Sequence, residues 1–458
     1  MCSIAVAQES PRLVVGITID QLRTDFLESF ASLYGEGGLK RLLNEGVVYR
    51  DARYNHDNVD RASATATIVS GATPYYHGIT TTEWMNRKTL QSETCVDDPE
   101  VEGVNTSKGS SPRHLCVSTI GDELKLATGG SGLVYSIAAD RITAILSAGH
   151  AADWALWIDD ASGNWAGSKY YGASAPYWVS PLSFEESRLA DRGTGNSRVT
   201  RAATYCLNSG VCGADHVPDF LALGYSIGAT ADSNIDQIRE AYVGLDMEIE
   251  KLLTAIERSA GIANTLIYLT STGYEDAPTL SQTSLYRIPS QQLSMDRCKA
   301  LLNMYLVALH GKGDYVETYF DNNIFLDRKF LEQKRLKLTD VLQECEDFLC
   351  QFEGIKEVFT CTRILQGAWS PELNRVRNGF APQHSGDILF EVAPGWALRD
   401  DARGSTRVCR GAWIECPLIY FGYGLEARQE HTPIGIEHIA PTVARHARIR
   451  APNGCKLH

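Results

Sequence analysis

The sequence predicts an α/β fold whose centre is a buried, mostly parallel sheet, and three observations carry that prediction. The stretch Leu13–Asp20 reads LVVGITID, aliphatic and β-branched on both faces, as a strand in the middle of a parallel sheet must be. Further apolar runs at Phe220–Tyr225, Leu266–Thr270 and Pro417–Phe421 repeat the pattern, and a long helical stripe lies between the first two. The third is size: 458 residues, 44% of them hydrophobic, suffice for one large α/β domain with insertions or for two domains. Ligand crevices of open α/β sheets lie beyond the carboxyl ends of the strands, so Asp20 is expected on the floor of any site.

Taken in order, residues 1–9 form an apolar tail in which Ala5-Val6-Ala7 matches an A-x-A processing site without a basic n-region, the remnant of a signal segment. One domain is expected over residues 10–458. Gly38 to Gly46 reads as a helix stopped by its glycine, and Val47-Val48-Tyr49 as a short strand. Ala62 to Ser70 is rich in small residues and reads as a helix packed closely on the sheet, entered through the polar loop His56 to Arg61. That order puts Arg61 at a helix N-terminus near Asp20. Residues 82–218, rich in Gly, Ser, Trp and Tyr with broken periodicity, are read as an inserted cap over the crevice.

Ile235, Ile238, Tyr242, Leu245, Ile249, Leu252 and Ile256 alternate steps of three and four, which makes a core-facing helix with Ser233 and Asp236 as its capping pair. A second insertion over 278–380 mixes a strand-like Met304–Ala308 with a helix-like Asp340–Phe352. Ile388–Val392 and Pro417–Phe421 then complete the core strands, and Ile439–Val443 opens a last helix.

Composition narrows the function classes. A net charge of −13 argues against nucleic acid or an anionic membrane as partner, since phosphate binding needs clustered Lys and Arg. No run is long and apolar enough for a transmembrane segment. The twelve cysteines fit an oxidising compartment, periplasmic or otherwise extracytoplasmic. None forms a Cys-x-x-Cys pair; Cys206 with Cys212, or Cys409 with Cys416, would close short loops, so disulfides are favoured over a zinc site, with the pairings left open.

Several motifs occur in an order that resembles one family. These are the strand ending in Asp20, Tyr34–Gly46, His77-Gly-Ile79, Ser111-Pro-Arg113, Gly121–Thr128, Asp140-Arg141 with Ala148-Gly-His150, Ser385–Ile388 and Ile439–Val443. Together they resemble the PafA-type alkaline phosphatases over nearly the whole chain. The resemblance implies a doubly wound sheet of the alkaline phosphatase type with an inserted crown over the site. It also implies periplasmic metalloenzyme chemistry with two zinc ions, a threonine nucleophile, and a Lys-x-Arg pair on the substrate phosphate. Two cations roughly 3.5–4 Å apart would activate the nucleophile and hold the leaving oxygen.

Carried over position by position, that pattern is largely missing here. Asp20 is the one intact ligand position. The nucleophile's place, eighteen residues before Ile79, is held by Arg61. The phosphate-holding asparagine falls on Thr82, and in the Lys-x-Arg pair Arg141 remains while the lysine has become Ala139. An expected Asp-His dyad is replaced by Thr272 and Gly273, the segment Ser226–Ser233 contains no histidine, and a C-terminal histidine aligns with Arg407.

The expectation is therefore a non-catalytic pseudophosphatase with no cofactor and no catalytic residue, acting as an extracytoplasmic binding or scaffold protein, with an envelope protein or an anionic small molecule as partner. Its remnant pocket would comprise Asp20, Arg61, Thr82, Arg141 and Arg407. A desolvated carboxylate needs a counter-charge, so Arg61 or Arg407 should pair with Asp20, and Arg141 should face inward from the cap. Guanidinium groups also suit phosphate or sulfate esters, but filling the pocket is the favoured role. The alternative is an active metal-dependent phosphomonoesterase, phosphodiesterase or sulfatase with a rebuilt metal site, for which Glu275 and Asp276 are the nearest replacement ligands. His384 and Glu415 have the same standing, and all four are more often solvated loop charges; His150 is read as structural, and the aromatics of Trp154–Trp178 as a small core of their own in preference to a carbohydrate or partner platform.

Overall fold

The computed structural model describes residues 10–182, 195–228, 233–273, 291–367, 370–393, 396–401, 403–408 and 415–455. Leu13–Asp20 runs through the middle of an eleven-stranded sheet and is buried along its whole length. It pairs in parallel with Asp219–Ser226 on one side and Thr265–Ser271 on the other. Val134–Ala138 and Trp154–Ile158 continue the parallel set beyond Asp219–Ser226. On the other side Glu415–Gly422 and Val47–Arg53 follow in antiparallel pairing.

The strand's period of two divides its side chains between two cores. Leu13, Val15, Ile17 and Ile19 enter a cluster with Tyr242, Leu245, Ile249 and Leu252 of the helix Ile235–Ser259. Val14 enters the opposite cluster, which also takes Ile68 from the helix Arg61–Ser70, Ile145 from Arg141–Ala148 and Val443 from Ile439–Ala447. Helices cover both faces, so the sheet is doubly wound. Each fully buried Leu or Ile here contributes roughly 1.5–3 kcal/mol relative to exposure.

The Tyr34–Gly46 motif acquires a physical reason. Asp246, on the long helix, accepts the Gly35 amide at 2.8 Å and the Leu39 amide at 2.6 Å, capping the helix Leu39–Glu45 from outside its own segment. A Cβ at Gly38 would fall 2.4 Å from the Asp246 carbonyl oxygen, so only glycine lets the two segments meet. Gly46 ends that helix as expected but not through a left-handed turn, since its φ is −92°. Its reason is again space: a Cβ would lie 2.5 Å from the Leu42 carbonyl.

Four expectations are corrected. The stretch 82–218 is not one cap, because Val134–Ala138, Trp154–Ile158 and Trp165–Ser168 belong to the central sheet. What stands outside it begins with the hairpin Glu83–Asn86 and Gln91–Thr94. Met304–Ala308 lies inside the helix Met295–His310, whose buried Met295, Cys298, Leu302 and Leu306 follow helical spacing. Ile388–Val392 is not a core strand. It pairs antiparallel with Ile355–Thr360 and Asn323–Leu326 in a separate four-stranded sheet, so the second inserted region reaches past its expected end at 380. The long helix is capped one residue later than expected, by Asn234 and Gln237 in a reciprocal capping box. Among the described residues no helix is long and apolar enough to cross a membrane.

Candidate functional site

The site forms where the central strands end. Asp20 is the last residue of its strand, and the chain leaves it through Gln21 in the left-handed region at φ 63°. Both carboxylate oxygens are engaged. Oδ2 accepts from Arg61 Nη2 at 2.6 Å, and Oδ1 accepts from the Thr272 hydroxyl at 2.7 Å. Thr272 follows the neighbouring strand Thr265–Ser271, and its amide donates to the Ile19 carbonyl at 3.3 Å, which fixes the hydroxyl against Asp20. Gly273, at φ 86°, accepts the Gln21 amide at 3.1 Å. At the two positions where a metal dyad was expected, the chain thus supplies one neutral hydroxyl donor and a turn.

Arg61 is the first residue of the helix Arg61–Ser70, a place where the helix dipole disfavours a cation. Three carboxylates reverse that preference. Besides Asp20, Asp140 Oδ1 lies 3.7 Å from Arg61 Nη1, and Asp60 sits next in sequence as the helix cap. Burial works against the charge, but Asp140, Asp20 and Asp60 outweigh it and hold the guanidinium above its ordinary pKa. Asp60 also accepts the Thr82 amide, which ties the cap hairpin to the start of the Arg61 helix. Arg61→Ala is expected to cost about 2 kcal/mol in urea unfolding, discounted from a fully buried pair because the arginine is 37% exposed. An unchanged unfolding midpoint would mean that Asp20 does without the pairing.

Arg141 is engaged by the cap loop. Its guanidinium donates to Ser110 Oγ at 3.1 Å and Asp97 Oδ1 at 2.8 Å, binding the helix Arg141–Ala148 to the cap loop. The residue before it, Asp140, is the one that turns toward Arg61. Ala139 offers no charge. Arg407 lies on the strand Ser405–Val408 opposite Leu398, but its side chain falls outside the described residues, as do Glu275 and Asp276. His150 is held by its own amide to Asp122 and by Nε2 against the Val117 carbonyl at 3.3 Å. His384 stacks on Trp84 with ring centroids 3.9 Å apart, and burial pushes its pKa down to about 4. Glu415 pairs with Arg53 at 3.2 Å.

Asp60 and Asp140 escaped the reading of the sequence as site residues. Their signal was present as helix-cap spacing: each stands just before a helix, with Ser63 or Thr143 three residues on.

A cavity of about 250 Å³ opens beside Thr82, with Asp60, Glu83, Asp321 and Asp400 in its wall and Arg403 spanning Glu83 and Asp400. Among the described residues, the donor set around Asp20 does not fit a two-zinc centre. Asp20 is taken by a guanidinium and a hydroxyl, and Asp140 and Asp60 act on that same guanidinium. Among the described residues, no group of three or more His, Cys, Asp or Glu side chains is placed to hold a metal ion.

Comparison with known proteins gives the lineage. The family model for type I phosphodiesterase / nucleotide pyrophosphatase matches residues 14–413. The chain is 25% identical to alkaline phosphatase PafA of Elizabethkingia meningoseptica, over 97% of this chain and 93% of that one. It is 30% identical to alkaline phosphatase PhoK of Sphingomonas sp, over 98% of this chain and 90% of the relative. A crystal structure of alkaline phosphatase PafA superposes with a TM-score of 0.86 at 24% identity, covering 98% of both chains. With the doubly wound sheet and the motif order, these matches establish that the chain belongs to the type I phosphodiesterase / nucleotide pyrophosphatase family, as a PafA-type member of the alkaline phosphatase superfamily.

Proposed function

We propose that this chain is a phosphatase-fold protein that does not transfer phosphoryl groups and serves as an extracytoplasmic binding or scaffold protein. The observation that carries the reading is the 2.6 Å contact between Arg61 and Asp20. In-line phosphoryl transfer at a two-metal centre needs cations facing the nucleophile and the leaving oxygen. Here a guanidinium stands at the nucleophile's position and uses the one remaining ligand, and a guanidinium at this pKa neither attacks phosphorus nor ligates a metal.

Local charge favours a protein partner over an anionic small molecule. Arg61 brings one positive charge to a site where Asp20, Asp60 and Asp140 bring three negative ones, so an incoming phosphate or sulfate ester meets net repulsion. Arg141, another of the arginines expected to favour such a ligand, is committed to Asp97.

The test combines metal analysis of the purified protein with an aryl phosphate assay, with and without added zinc. Zinc well below one equivalent and release no faster than the blank are expected. Two equivalents of zinc, with turnover abolished by a chelator, would overturn the proposal in favour of a rebuilt hydrolase. A calorimetric titration with inorganic phosphate is expected to give no binding heat at millimolar ligand.

A further inference from the structure

We infer that Cys206 and Cys212 are joined by a disulfide when the chain folds in an oxidising compartment. Cys206 lies in the last turn of the helix Asn196–Asn208, and Cys212 in the turn that follows. Both are buried, at 0% and 1% exposure, in the core cluster that also takes Leu13 and Tyr135. The two thiols hydrogen-bond to one another, and that contact together with burial pushes the Cys212 thiol well above its ordinary pKa.

The turn between them is tightly held. The Ser209 hydroxyl donates to the Cys206 carbonyl at 2.6 Å, Tyr177 Oη donates to the Ser209 carbonyl at 3.1 Å, and Asp219 Oδ2 accepts the Gly213 amide at 2.6 Å. Gly210 and Gly213, at φ 68° and 74°, let the chain reverse within this short span. A disulfide needs the sulfurs about 2 Å apart, and a turn this short and this firmly held keeps the two buried residues beside one another.

The chemistry fixes when the bond forms. Once folded, both thiols are shielded and the Cys212 thiol is poorly ionised, and a thiol that is not thiolate does not attack a disulfide. Oxidation belongs to the nascent chain, before the helix docks, when the short sequence separation makes encounter fast. One cysteine thiolate attacks a protein or glutathione disulfide and expels a thiolate. The second cysteine thiolate then attacks the mixed disulfide and expels the other. Two S–H bonds are lost, one S–S bond forms, and the two electrons and two protons leave on the reduced oxidant. A bridge here would also support folding in an oxidising compartment.

Tryptic mapping tests it. Cleavage after Arg201 and Arg239 leaves both residues in one peptide, Ala202–Arg239, which contains no other cysteine. The reduced, unfolded full chain is refolded in a glutathione redox buffer, alkylated with iodoacetamide in denaturant without reductant, and digested. That peptide is expected two hydrogens lighter than the dithiol and free of alkyl groups. In the Cys206→Ser variant, Cys212 is expected to become alkylated. Two alkyl groups on the native peptide, a mixed disulfide at either residue, or a Cys212 that stays blocked in the variant would overturn the inference.

Discussion

Replacing Asp387 by alanine is expected to cost about 3–4 kcal/mol of folding free energy. Asp387 is fully buried and holds three partners from two distant segments. Its carboxylate accepts Arg87 Nη1 at 3.1 Å from the cap hairpin, Arg328 Nε at 2.9 Å, and the buried Leu326 amide at 2.9 Å in the second inserted region. Arg87 reaches further to the Ser385 carbonyl at 3.0 Å, so one carboxylate fastens the cap hairpin to the second region. Removing it leaves a buried amide unpaired and two guanidinium groups without a counter-charge. The comparison that isolates the effect is Arg328→Ala. Arg328 is 51% exposed, and its loss should cost less than about 1 kcal/mol. Urea unfolding of the two variants should separate them clearly. Equal losses would mean that the exposed arginine, and not the buried carboxylate, holds the two regions together.

Acid should destabilise the protein steeply between pH 6.5 and 4.5, by an amount on the order of 5 kcal/mol at the lower limit. His56 is fully buried beside Tyr54, and burial pushes its pKa down to about 4. His77 lies well below its ordinary value for the same reason. The hydroxyl of Thr67 sits between these two rings, 3.5 Å from His56 Nε2 and 3.2 Å from His77 Nε2. His384 is the third such histidine, at about 4.

The sign follows from proton counting. The unfolded chain protonates each histidine near pH 6.5, whereas the folded chain protonates His56 and His384 only at about pH 4 and His77 only well below its ordinary value, so the unfolded state binds more protons in that window and stability falls as pH falls. Each histidine can contribute up to about 1.4 kcal/mol per pH unit. Asp219 acts in the opposite direction. Burial raises its pKa to about 6, so below that pH the folded state binds the extra proton and about one histidine's share is offset. His56→Asn retains a donor toward the Asp57 carbonyl, which His56 Nδ1 meets at 3.0 Å, and removes one titrating group. A clearly shallower slope of urea stability against pH is expected in that variant. An unchanged slope would show that His56 is not among the groups responsible.

The parts of this fold that could be read in the sequence are those written in local periodicity. Leu13–Asp20 had to be a central strand because no face of it tolerates water, and the stripe from Ile235 to Ile256 had to be a core-facing helix, although its first member, Ile235, stays 52% exposed beyond the end of the core. Placing Arg61 near Asp20 followed from the order of strand, loop and helix, and the two are in contact. Elements whose identity depends on distant neighbours were harder to read. Met304–Ala308 is apolar enough for a strand, and only the spacing of Met295, Cys298, Leu302 and Leu306 over a longer window shows the helix. Ile388–Val392 looks like any core strand, since nothing in its residues says which sheet it will join. At the site, the direction of each charge depended on partners far away in sequence. Arg141 turned to Asp97 and Asp140 to Arg61, a choice between adjacent residues that pattern alone does not make.

The tie between Arg61 and Asp20 also bears on supply. A counter-ion drawn from solution has a concentration and an off-rate, and a fold that depends on one is stable only while its surroundings provide it. A guanidinium carried on the chain is delivered in a fixed ratio of one per molecule at translation, and cannot be lost to competing ligands or to scarcity. For Asp20, neutrality is encoded and not acquired, and this end of the sheet can assemble in surroundings too poor in divalent ions to load a two-metal centre.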